Sequence, residues 1–143
     1  MKNNLQDIFV PYELAKGLRE LGFDDNCLGG YNSNKGVDLS KGNLWNNETL
    51  NLINEATTSN LECLMPTWEQ AFKFFRDKYK LDSYIDSLLL TTKDVCYDYI
   101  IYQDDKDESD DGRRFMKYEQ AREKCLKHLI KIVRDENGEI ILI

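Results

Sequence analysis

Six carboxylates fall within eight residues of this 143-residue chain, Asp104 to Asp111, interrupted only by Lys106 and Ser109. A cluster that dense could hold a divalent cation, draw a basic partner, or keep a hairpin tip in water. A calcium loop of the EF-hand type needs oxygens at its first, third and fifth positions, glycine at the sixth and a bidentate carboxylate at the twelfth. Asp107, Ser109, Asp111 and Gly112 match the first four, but the twelfth position is Tyr118 and Glu119 comes one residue late. The half that supplies the bidentate ligand is missing.

Three other constellations offer chemistry. A metal-dependent nuclease places an acid near one strand and an acid-x-lysine on the next, so that metal and general base meet at the phosphate. Asp86 or Asp94, followed by Asp104-Asp105-Lys106, has that outline, at a place where a strand enters a stretch dense with like charge. His128, the chain's single histidine, follows Cys125 by three residues, so the two could share a helix face. A nucleophile pair needs close contact and an orienting third group, and a zinc pair needs two further ligands. Gly29-Gly30 is followed by turn residues rather than a helix, and no nucleotide-binding glycine motif is present.

These residues must be positioned by elements that the hydrophobic pattern shows more clearly. "FVPYELAKGLRELGF" predicts a helix from about Pro11 to Leu21, with Leu14, Leu18 and Leu21 on one face and Gly22 ending it in a left-handed conformation. Residues 24–65 are rich in Gly and Asn and read as an irregular elaboration. Cys27–Tyr31 offers a short strand there, and "NNETLNLINEA" a helix capped by Asn46 or Asn47. Thr67 and Gln70 have capping-box spacing, opening a helix that carries Trp68, Phe72, Phe75 and Tyr79 on its core stripe. Phe74 lies off that stripe, so it is the aromatic expected to be exposed or to touch a partner.

The period then changes to two. "LDSYIDSLLL" and "VCYDYIIYQ" flank "TTKD" as a hairpin, and bulky groups on both faces of the second strand place it inside a sheet. After the acidic residues 104–112, read as a loop, Tyr118, Ala121, Cys125, Leu129, Ile132 and Val133 form the stripe of a last helix, stopped by Asn137 and Gly138. "EIILI" reads as a closing strand. The expected fold is α+β in a single domain, 1–143: three main helices packed on one face of a small, mostly antiparallel sheet of three to four strands.

Charge is placed unevenly. Net charge is −7 overall, and residues 104–111 alone carry −5. Residues 112–143 hold eight bases and five acids, net +3. A DNA mimic would spread its carboxylates at phosphate spacing, which this chain does not do. The basic face of the last helix lies too near the acid cluster to favour nucleic acid. The four cysteines, Cys27, Cys63, Cys96 and Cys125, are widely spaced without a C-x-x-C pair, as in a chain with reduced, buried thiols. "MKNNLQDIF" lacks the apolar core of a signal peptide, and the longest apolar runs are too short to span a bilayer.

Three segments together resemble a group of small phage and prophage proteins of Bacteroidetes bacteria: "FVPYELAKGLRELGFDDNCLGGY", "MPTWEQAFKFFRDKYKLDSYI", and "YDYIIY" followed by "FMKYEQAREKCLKHLIKIV". The match rests on element order and on Pro66-Thr67-Trp68, Tyr118-Glu119 and Ala121-Arg122-Glu123. The resemblance implies the cytoplasm of a bacterial host and assigns no catalytic residue. The expected function is that of a non-enzymatic accessory protein that binds a host or phage protein, with blunting of a host defence as one purpose. The acidic residues Asp107, Glu108, Asp110 and Asp111, and Phe74, are the expected contacts; no cofactor, metal or membrane partner is expected. The alternative is a metal-dependent enzyme or a nucleotide-binding protein.

Overall fold

The computed structural model describes residues 5–89, 91, 94–103, 106–109 and 114–142. The fold is α+β, with two three-stranded antiparallel sheets in place of the single sheet expected. The chain divides into two compact units, Met1–Ala71 and Phe72–Ile143. Among the described residues, no helix is long and apolar enough to cross a membrane.

The first unit begins with a single helical turn, α1 (Leu5–Ile8), followed by α2 (Tyr12–Glu20). Gly22 ends α2 with φ +96°, and the amides of Gly22 and Phe23 reach back to the carbonyls of Arg19 and Leu18. That is the Schellman closure glycine permits. In residues 24–65 the strand and helix offered by the sequence form as β1 (Gly29–Asn32) and α3 (Asn47–Ala56), and β2 (Val37–Leu39) and β3 (Leu61–Leu64) replace irregular chain. Asn46 caps α3 by accepting the Thr49 amide at 2.9 Å.

The sheet order is β2-β1-β3. Glycine in β1 marks close backbone approach rather than a turn. A Cβ at Gly29 would stand 2.3 Å from the Asp38 carbonyl oxygen, and one at Gly30 2.8 Å from that of Cys63. Successive residues project to opposite faces. The Tyr31 ring meets Tyr12 of α2 edge-on at 5.8 Å, whereas the Gly30 side meets Leu50 of α3. The two helices therefore cover opposite faces of this sheet, not one.

α4 (Trp68–Tyr79) begins in the first unit and continues into the second. Its capping box forms as the sequence requires: the Gln70 amide donates to Thr67 Oγ1 at 3.1 Å, and the Thr67 amide to Gln70 Oε1 at 2.9 Å. Trp68, Ala71 and Phe75 are buried.

In the second unit, β4 (Leu81–Leu89) pairs with β5 (Val95–Gln103), and β5 with β6 (Lys106–Ser109). β5 is central, as its two bulky faces predict. α5 (Tyr118–Leu142) packs on β4 and β5, burying Cys125, Leu126, Leu129 and Val133. Where a closing strand over "EIILI" is expected, α5 instead continues to Leu142; Ile143 lies outside the described residues. Ile140 follows Val133 at seven residues, so the helical period persists. An internal glycine costs a helix only about 1 kcal/mol, so Gly138 does not end it.

Candidate functional site

The described part of the acid cluster is a strand rather than a loop tip. Lys106–Ser109 form an edge strand, with Tyr102 opposite Asp107 and Ile101 opposite Glu108. Asp104, Asp105, Asp110 and Asp111 lie outside the described residues. The direction of the ladder follows from Tyr97, which exchanges both main-chain hydrogen bonds with Phe115, at 2.7 and 2.8 Å. Odd-numbered residues of β5 thus turn their N–H and C=O toward β6, and even-numbered ones toward β4. Across the β6 pairing, the main-chain groups of Lys106 and Glu108 face inward, and those of Asp107 and Ser109 face the outer edge. The Tyr99 amide donates to Asp98 Oδ1 at 2.7 Å.

Among the described residues, the acids invoked by the metal readings stand apart from one another. Asp107 and Ser109, the first calcium-loop positions, lie on extended backbone, roughly 7 Å apart along the strand. Asp86 faces Asp98 across the β4–β5 ladder. Asp94 is occupied at the hairpin, its carboxylate accepting the Thr91 hydroxyl at 3.1 Å, and it lies roughly 13 Å from Asp98 along the strand track. Among the described residues, no group of three His, Cys, Asp or Glu is placed to hold a metal ion.

The Cys125–His128 pair is brought to one region but not to one reaction. Cys125 is fully buried, and burial pushes its thiol up to about 12, a hydrogen bond with Ser83 offsetting part of the rise. At neutral pH only about one thiol in 10⁵ is then ionised, and the thiolate is the nucleophile. His128 Nδ1 lies 2.8 Å from the Tyr99 hydroxyl, with the rings edge-on. That contact locks α5 to β5. Burial likewise pushes the Cys27 and Cys63 thiols up to about 12.

Phe74 is half-buried. Its ring packs edge-on against Phe75 at 5.3 Å and Tyr79 at 5.6 Å, with the Lys78 ammonium 5.4 Å above it. It behaves as the margin of an aromatic cluster.

The spacing of Tyr12, Lys16 and Arg19, one helix face at four and three residues, holds a polar network that motif reading missed. Tyr12 donates its hydroxyl to Glu62 Oε2, Lys16 Nζ lies 3.4 Å from the same carboxylate, and Arg19 donates to the Glu62 carbonyl at 2.5 Å. The hydrogen bond from Tyr12 holds the Glu62 carboxyl below its ordinary range, and the same bond raises the Tyr12 hydroxyl. A tyrosine shifted upward serves as a donor, not a base. The network borders an open cleft of about 460 Å³. Beside it, Asn54 closes the start of β3 through two hydrogen bonds with Leu61, at 2.7 and 2.8 Å.

In the second unit, Arg114, Lys124 and Lys127 border a second open cleft of about 330 Å³, with Phe115, Met116 and Glu123. This is the basic helix face expected from the sequence. Comparison of the chain with protein-family models, with curated proteins and with solved structures finds no match.

Proposed function

We propose that this protein works by binding another protein, and that the acidic edge of the second unit is the surface it uses. The observation that carries this reading is the placement of Asp107 and Glu108 on an edge strand whose outer main-chain groups, at Asp107 and Ser109, turn away from the sheet. An open edge offers hydrogen bonds to an extended segment, and the charge of −5 over residues 104–111 selects a basic one. The resemblance to phage proteins points to a protein of the bacterial host or of the phage as the partner, met in the host cytoplasm. A non-enzymatic role suits the reactive groups, which serve the core: burial keeps Cys27, Cys63 and Cys125 as thiols, and His128 bonds Tyr99.

The test neutralises the charge without shortening the strand. A variant carrying Asp107→Asn, Glu108→Gln, Asp110→Asn and Asp111→Asn should bind its partner at least about tenfold more weakly, chiefly through slower association. Raising salt should weaken the wild type and leave the variant nearly unaffected. Equal affinity in both proteins would remove the acidic edge from the account.

A further inference from the structure

The opposite edge of the same sheet carries a separate message. β4, at nine residues, borders β5 on one side, and among the described residues no strand pairs with its other side. A long open edge is a template for another strand. Because even-numbered residues of β5 bond β4, the ladder runs through Asp82, Tyr84, Asp86 and Leu88. The N–H and C=O of Leu81, Ser83, Ile85, Ser87 and Leu89 therefore turn outward. The Ser83 amide agrees, since it is met by the neighbouring Asp82 carboxylate at 3.0 Å rather than by β5.

Those five outward residues read Leu, Ser, Ile, Ser, Leu, the same in both directions. We propose that β4 pairs antiparallel with β4 of a second copy, about a two-fold axis at Ile85, joining two three-stranded sheets into one. Ser83 then lies beside the partner's Ser87, on either side of Ile85 at the axis, and Leu81, 2% exposed and covered within its own chain, ends the accessible stretch. Such an interface is isologous, every contact occurring twice.

The charges select this register. On the other set of positions it places Tyr84 beside the partner's Asp86, and Asp82 beside the partner's Leu88. A slip of two residues one way sets Asp82 opposite the partner's Asp86. A slip the other way sets Asp86 opposite the partner's Asp86, extending the row that Asp98 already begins. Like charges directly opposite are destabilising. Asp82, by covering the Ser83 amide, is the group that must yield for full pairing.

Sedimentation equilibrium of the full chain, from about 1 to 200 µM, tests this. The expected result is a reversible dimer of twice the 16.8 kDa chain mass. Ser87→Lys with Leu89→Lys should raise the dissociation constant about tenfold or more, by setting cations along the edge. Both positions are exposed, so the fold should survive, as circular dichroism will show. Asp82→Ala should tighten the dimer. A chain that stays monomeric throughout, or a dimer indifferent to these substitutions, overturns the proposal.

Discussion

Tyr99 reaches from β5 to His128 on α5, and the residue-scale account turns on contacts of this kind. Tyr99→Phe removes one partly buried hydrogen bond and should cost about 1 kcal/mol in chemical denaturation, with the fold retained. Thiol chemistry is a second check. All four cysteines are buried, so a disulfide reagent such as DTNB should find no reactive thiol in the native protein and four in denaturant. Glu62 gives a pH dependence. Its folded carboxyl sits below the ordinary value of 4.5, so the stability it adds is present above that pH and fades as pH falls through the lowered value. The melting-temperature gap between wild type and Glu62→Gln should hold steady from neutral pH to about 4.5 and shrink below it. The Tyr12–Lys16–Arg19 spacing is visible in the sequence, but Glu62 lies 43 residues or more from each of them. Local pattern carries no information about such a partner.

At the scale of elements, caps and turn residues decide where helices stop. Lys80 sits between α4 and β4 with φ +57°, a left-handed conformation that costs a side-chain-bearing residue roughly 1 kcal/mol. Lys80→Gly should therefore raise stability, and Gly22→Ala, at φ +96°, should lower it by a similar amount. Thermal unfolding of the two variants reads both signs. The same local rules explain what was legible. Thr67 with Gln70, Asn46 before its helix, and Gly22 after Leu21 each act within a few residues, and each is where the sequence places it. The β4–β5 hairpin was legible for the same reason, since alternation is a local signal. The strand offered at Cys27–Tyr31 forms as β1, although a glycine that admits a neighbouring strand looks, in sequence, like one that makes a turn. β3 is only four residues, "LECL", too short to show a period. "EIILI" reads as a strand because β-branched residues favour strands, whereas α5 continues as far as Leu142.

At the scale of the molecule, two three-stranded sheets stand where the order of elements suggests a single helix-covered one. Nothing in a local pattern tells one sheet from two; that depends on which strands meet. Of the proposed contacts, the acidic cluster was plain as composition, but its arrangement as an edge strand was hidden because Asp, Glu and Lys are poor strand formers. Phe74, by contrast, belongs with Phe75 and Tyr79, so Phe74→Ala should lower stability more than it lowers partner affinity. The account as a whole stands on the acidic edge. The most direct measurement is native mass spectrometry of the full chain recovered from bacterial cells, compared with its four-residue neutralised variant. The account predicts a stoichiometric complex with a basic protein for the wild type, lost from the variant while the variant remains folded. The same partner held equally by both proteins would contradict it.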